Sequence, residues 1–406
     1  MSEQALFDPA RHEPLTKERW SEPVARAAIA RIADDALAAF EGERGWPTHP
    51  LDEPHAPGYR YQMLYFGAGG VIWALARLAE VGAIEPLRID FRAYLPDLFA
   101  RNRETPEVAK NGTASYLMGD SGLLLLQWKL TRDPQVADRL FETVASNLRH
   151  PTQEALWGSP GSLLAAIHMA EQTADPRWAA LLEQGLRVLW AQRTFDEPHG
   201  AWLWQQQMYG DTTRYLGAAH GYVGNVYPAL RGAALLPADL VAEFATGALD
   251  TLSPLALRSA DGLINWHPRA DRVRVIGRVP LMHDCHGAPG TVCRLASAPR
   301  EPRWDALLRG AAELTWRAGP LAKGGGLCHG TAGNGYALLK LWRRSGDDVW
   351  LDRARTFAMH VIAQVDRAHS EHRAGRYSLW TGDVGVALYL WSCIVGDDAF
   401  PTLDVF

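Results

Sequence analysis

The chain has 406 residues, and its 41 Lys and Arg against 46 Asp and Glu leave a formal charge of −5 at neutral pH. That balance excludes a basic nucleic-acid binder, and 47% hydrophobic with 21% charged residues excludes a disordered or fibrous chain. The opening residues, from Met1 to Asp8, are polar and acidic rather than basic then apolar. Apolar runs such as Leu123 to Leu126 fall far short of the ~18 residues that a bilayer requires. A cytoplasmic, reducing setting without membrane insertion is expected, and the four cysteines (Cys285, Cys293, Cys328 and Cys393) then read as free thiols or metal ligands.

In chain order, the pattern Gly-x-x-Gly recurs seven times, with first glycines Gly67, Gly119, Gly158, Gly221, Gly287, Gly330 and Gly382. Each is followed by apolar residues at helical spacing, for example Val71, Ile72, Leu75 and Leu78. Glycines at a helix start predict either close packing on a neighbouring helix or a positive φ leading into the first turn. Between the motifs lie seven more helical segments, at about 21–40, 90–101, 135–149, 176–192, 237–252, 302–317 and 348–365. Asp133-Pro134, Asp175-Pro176 and Glu301-Pro302 carry start signals, and Ser21 and Asp347 stand where a cap is expected.

These intervening segments mix Arg and Glu into their apolar positions, so one face is wet and they form an outer layer. Seven outer and seven inner helices predict an all-α fold, an α/α toroid, as one closed domain over residues 1–406. Long connections at 44–62, 194–218 and 259–284, rich in Trp, His, Pro and Gly, are expected to build a binding mouth.

Three motif turns carry chemistry: Ala219-His220-Gly221, Asp284-Cys285-His286-Gly287 and Leu327-Cys328-His329-Gly330. If the inner helices all start at one end, Cys285, Cys328 and His329 meet there despite their separation in sequence. Two thiolates and an imidazole suit zinc, and three protein ligands leave a fourth position open, as in catalytic sites. Zinc held by two thiolates is a good activator of an incoming thiol. His220 and His286 face the same cavity; His220 is offered for acid or base work, against the plainer reading of a buried hydrogen-bonded histidine. Cys293 and Cys393 sit inside apolar helices without a neighbouring His and belong to the core.

With these residues in place, the chain resembles the lanthionine synthetase C-like family. The resemblance rests on His220-Gly221-Tyr222-Val223-Gly224, Cys285-His286-Gly287-Ala288-Pro289-Gly290 and Cys328-His329-Gly330-Thr331-Ala332-Gly333-Asn334, with the seven glycine turns extending it over most of the chain. It implies a zinc ion on Cys285, Cys328 and His329, and addition of a thiol across a dehydroalanine or dehydrobutyrine of a peptide or protein. By the same resemblance His220 is the acid or base.

The family divides by its thiol, a Cys of the same peptide or glutathione. His286, where the peptide cyclases commonly have Tyr, and Lys323, five residues before Cys328, favour the glutathione branch. Lys323 is offered as a substrate-binding residue for a glutathione carboxylate, or else as a solvated loop lysine. Two departures stand out: Asp284 replaces the family's usual Trp, and Leu281 replaces the cyclases' arginine, for which Arg278 is a candidate substitute. Asp284 is read either as orienting His220 or His286 or as facing away and bonding its own turn. The rival functions are a scaffold that binds zinc and peptide or glutathione without turnover, and a glycosidase using Asp120 and Asp383; capping of the inner helices suffices to explain those two carboxylates.

Overall fold

The computed structural model describes residues 5–52, 54, 56, 58–272 and 278–406. Residues 1–4 of the polar start, and positions 53, 55, 57 and 273–277 of the long connections, lie outside them. Helix α1 (Glu22–Ala38) is followed by α2 (Ala68–Glu80) and two short helices, α3 (Leu95–Arg103) and α4 (Pro106–Asn111). Next come α5 (Asp120–Thr131), α6 (Pro134–Ser146), α7 (Ser159–Thr173), α8 (Pro176–Ala191), α9 (Tyr222–Arg231) and α10 (Ala238–Leu255). The chain continues through α11 (Ala288–Leu295), α12 (Pro302–Ala318), α13 (Thr331–Ser345), α14 (Val349–His372) and α15 (Asp383–Val395).

Among the described residues, seven of these form an inner ring in which α2, α5, α7, α9, α11, α13 and α15 each touch the next and α15 touches α2. The others pack outside it, and α1 lies against α15, so the first outer helix covers the seam left by the last inner one. This is an α/α toroid. The outer helices bury one stripe, as in α6 with Val136, Ala137, Leu140 and Val144, whereas α7 is buried from Ser159 to Ala170. The outer segment expected at 90–101 is a 3-10 turn over Phe91–Tyr94 that runs into α3, and α4 follows as a fresh helix because Thr105 is extended and Pro106 opens it.

The seven motifs start the inner helices, the first glycine of each being the residue just before the helix. The second glycines pack closely on a neighbouring repeat, as at Gly290, where a Cβ would stand 2.8 Å from that of Ala218, and also on their own loop. A Cβ on the second glycine would meet the carbonyl oxygen six residues upstream in its own loop, at 2.2 Å for Gly70 and Leu64, 1.7 Å for Gly290 and Asp284, and 1.8 Å for Gly333 and Leu327. The glycine therefore lets each loop fold back onto its helix start. Among the first glycines, positive φ occurs at Gly221 (155°) and Gly287 (112°).

Asp133 and Asp175 cap α6 and α8 through the N–H groups of Gln135 and Arg177. Asp347 accepts from the N–H of Val349, whereas Ser21 and Glu301 make no side-chain cap bond. The carboxylates expected to cap inner helices do other work: Asp120 pairs with Arg103 of α3 at 2.6 Å, and Asp383 accepts the backbone N–H of Arg376.

The long connections contain three short antiparallel hairpins, which an all-helical reading does not foresee: β1 (Thr194–Asp196) with β2 (Ala201–Leu203), β3 (Gln206–Met208) with β4 (Asp211–Thr213), and β5 (Leu257–Arg258) with β6 (Ile264–Asn265). The segment Phe400 to Phe406 is tied to inner helices by the Tyr227 hydroxyl and the Lys340 ammonium, both on Asp404, while the Tyr116 hydroxyl bonds the Thr402 carbonyl. No helix among the described residues is long and apolar enough to cross a membrane.

Candidate metal centre

The loops that precede the inner helices are stitched to one another by backbone hydrogen bonds. The Cys285 N–H donates to the Cys328 carbonyl at 3.1 Å, the Cys328 N–H to Trp380, the Trp380 N–H to Tyr65, and both Ala218 and Ala219 N–H groups to the Cys285 carbonyl. Equivalent positions of different repeats thus sit side by side. The result is that the two Sγ atoms of Cys285 and Cys328 and a ring nitrogen of His329 lie within 4.8 Å of one another, and this trio could hold a metal ion.

The electrostatics of the trio suit a cation. Both sulfurs are buried, and the hydrogen bond with Cys328, reinforced by burial, pushes the Cys285 thiol up. A hydrogen bond from Cys285 holds Cys328 low against burial, aided by His329 and by the Tyr65 hydroxyl. Cys328 is therefore the sulfur that loses its proton more readily, and a divalent cation would favour the thiolate form of both. Soft sulfur and borderline imidazole donors fit zinc.

His220 precedes α9 and its Nδ1 lies 2.7 Å from Oε2 of Glu154, whose side chain is fully buried. Glu154 also accepts the N–H groups of Leu156 (3.0 Å) and Trp157 (2.6 Å), so it is an acceptor and His220 Nδ1 donates to it. Burial lowers the His220 pKa, but the Glu154 hydrogen bond, its charge and that of Cys328 outweigh this, leaving a net rise. Glu154 was not read from the sequence; its signal was a lone acid in the loop four residues before Gly158. His286 stacks 5.6 Å from both His220 and Tyr215, and burial pushes its pKa down to about 3.

The remaining expected residues separate. Asp284 does not reach either histidine: both its oxygens are taken by Arg294 of α11, at 3.1 and 2.6 Å, inside the protein. Burial lifts its carboxyl to about 6 although Arg294 pulls the other way. Arg294 lines a small axial cavity of about 40 Å³ with His220, Cys328, Tyr65 and Tyr227, a buried cation that no local sequence pattern announces. Arg278, the suggested substitute for the missing arginine, is exposed. Lys323 does face the site, in a mouth of about 570 Å³ that also includes His329, Tyr65, Trp157, Tyr209, Arg376 and Asp52. Cys293 and Cys393 are buried inside α11 and α15, as expected of core residues.

Comparison with known proteins bears on the family and the fold. The family model described as "Lanthionine synthetase C-like protein" matches residues 60–405. Among curated proteins, the "Glutathione S-transferase LANCL1" of Danio rerio is 28% identical over 268 residues, 60% of this chain and 62% of that protein. The "LanC-like protein GCL1" of Arabidopsis thaliana is 29% identical over 276 residues, 62% of this chain and 58% of that protein. The match therefore spans about three fifths of each relative's length. Among solved structures, nisin cyclase superposes with a TM-score of 0.62 at 15% identity, over 94% of this chain and 99% of that one, a likeness of fold.

Proposed function

This chain belongs to the lanthionine synthetase C-like family, and on that premise we propose that it is a zinc-dependent enzyme acting as one domain over residues 1–406. It adds a thiol to the β-carbon of a dehydroalanine or dehydrobutyrine in a peptide or protein, forming a thioether. The observation that carries this reading is the meeting of two cysteine sulfurs and an imidazole within 4.8 Å, beside a histidine anchored by a buried carboxylate.

In this reading Cys285, Cys328 and His329 hold the ion, which when bound keeps an incoming thiol deprotonated yet nucleophilic near neutral pH. His220 takes the thiol proton on Nε2, because Nδ1 is committed to Glu154, and returns it to the α-carbon once the sulfur has added. His286 lies against the reacting centre as a substrate contact. Lys323 offers a cation without an ion-pair partner among the described residues at the mouth, where the Arg376 guanidinium is already held by Asp52 at 2.5 Å. A thiol carrying its own carboxylates, such as glutathione, fits that cation better than a cysteine buried in a peptide.

The departures at Leu281 and Asp284 keep alive a second reading, a scaffold that binds zinc and glutathione or peptide without turnover. The deciding experiment incubates zinc-loaded protein with glutathione and a dehydroalanine peptide and follows the thioether adduct by mass spectrometry, with Cys328→Ala as control. Adduct above the control supports the enzyme; one zinc per chain without adduct leaves the scaffold, and absence of zinc removes both.

A further inference from the structure

The two nitrogens of His286 have unequal surroundings. Nδ1 is buried and has no hydrogen-bond partner among the described residues. It is pressed against the backbone of Gly217, where a Cβ would stand 2.4 Å from Nδ1 and 2.6 Å from the Cys285 carbonyl oxygen. That oxygen already accepts the N–H groups of Ala218 and Ala219 at 3.1 and 3.2 Å, so it has no lone pair left for a proton on Nδ1. A buried lone pair without a partner is easier to tolerate than a buried N–H without one. The proton of the neutral ring therefore sits on Nε2, and the residue as a whole is partly exposed.

The ring lies beside the acid–base group. The His286 ring is 5.6 Å from that of His220 with only 32° between their planes, and the neighbouring residue is Cys285 of the metal trio. His220 presents Nε2 as the atom that moves a proton, because its Nδ1 is bound to Glu154. His286 presents Nε2–H, a fixed donor that has no reason to move one. The chain also lacks a cation at Leu281 and turns Arg294 toward Asp284, so negative charge developing on the acceptor has to be met by another group.

We propose that His286 is the oxyanion donor of the thiol addition, its Nε2–H bonding the carbonyl oxygen of the dehydro residue as that oxygen becomes an enolate. This rests on the function proposed above. The thiol proton passes to His220 and the sulfur bonds the β-carbon. The π electrons of the double bond shift toward the carbonyl oxygen, which His286 holds without giving up its proton, and His220 then protonates the α-carbon. No further reactant is needed. The substrate feature recognised is thus the backbone carbonyl beside the double bond, which favours dehydro residues within a peptide over isolated alkenes.

The test pairs spectroscopy with kinetics on the zinc-loaded full chain. Ring ¹⁵N shifts, assigned by comparison with His286→Gln, are expected to show His286 protonated on Nε2; a proton on Nδ1 overturns the proposal whether or not the protein turns over. With glutathione and a dehydroalanine peptide, His286→Ala is expected to lower kcat roughly a hundredfold. Zinc content and peptide KM should change little. His286→Gln, whose amide N–H can stand near Nε2–H, is expected to recover at least a tenth of the lost rate. Equal losses in Ala and Gln, or a loss confined to KM or zinc content, overturn the donor role. Absence of turnover in the wild type overturns the function on which it rests, and the ring shifts then decide the tautomer alone.

Discussion

Glu154 and His220 are 66 residues apart in sequence and 2.7 Å apart in the protein, with the carboxylate clamped by two backbone N–H groups so that only the imidazole can turn toward it. The carboxylate fixes the tautomer and raises the imidazole's proton affinity at once.

Glu154→Gln should therefore lower kcat about a hundredfold without loss of zinc, by analogy with other carboxylates that orient a catalytic imidazole. The pH profile supplies the sign. Glu154 raises the His220 pKa, so removing its charge moves the limb governed by His220 to lower pH. An unchanged limb would show that another group titrates there.

The metal trio makes a separate prediction. Cys285 and Cys328 occupy loop positions before α11 and α13, outside the helix-to-helix packing that closes the ring. Cys285→Ala or Cys328→Ala should abolish zinc binding while far-ultraviolet circular dichroism stays at the wild-type level. A variant that retains one zinc per chain would mean that the ligands have been misassigned.

The extent to which this site could be read in the sequence follows from how each residue is placed. The inner helices and the trio were legible because a repeat puts equivalent positions at one end of the ring, and Cys285 and Cys328 are neighbours for that reason alone. Tyr65 was missed although it stands two residues before Gly67, just as Cys285 and Cys328 stand two before Gly287 and Gly330; Glu154, which reaches His220 from another repeat, and Arg294, which turns back from α11 onto Asp284, were not legible, because no local spacing encodes those side-chain directions. Asp284 shows the limit most clearly: its sequence neighbours are a cysteine of the trio and two histidines, yet its oxygens go to an arginine ten residues on.

Lys323 is exposed, and no ion-pair partner holds it among the described residues. Lys323→Ala should raise KM for glutathione about tenfold, equivalent to ~1.4 kcal/mol, and leave KM for the dehydroalanine peptide nearly unchanged. Added salt should shrink the difference, because the contact is screened at the mouth. Equal effects on both substrates would place the lysine outside the thiol's subsite.

The Asp284–Arg294 pair is fully enclosed, with side chains 1% and 4% exposed. Removing one charge strands the other, so Asp284→Asn should cost about 3–5 kcal/mol in urea unfolding. Arg294→Met combined with Asp284→Asn should recover much of that, since no buried charge then remains unpaired. Additive losses in the double variant would indicate that the two residues do not act as a pair.

His168, in the middle of α7, predicts an acid sensitivity independent of the metal. It is 2% exposed, its Nε2 has no partner among the described residues, and its ring packs 5.7 Å from Phe406. Burial, reinforced by Arg231, lowers its pKa from 6.5 to about 3. Between those values the unfolded chain takes up a proton that the folded chain refuses, so stability is complete above about pH 6.5 and declines as pH falls toward 3. At ~1.4 kcal/mol per pH unit the loss from this group reaches about 2 kcal/mol at pH 5. His168→Gln cannot titrate, and the other histidines are common to both proteins and cancel in the comparison. The wild type should therefore lose about 2 kcal/mol more than His168→Gln between pH 7 and pH 5 in metal-free urea titrations, and parallel losses would mean that His168 can take up its proton without unfolding.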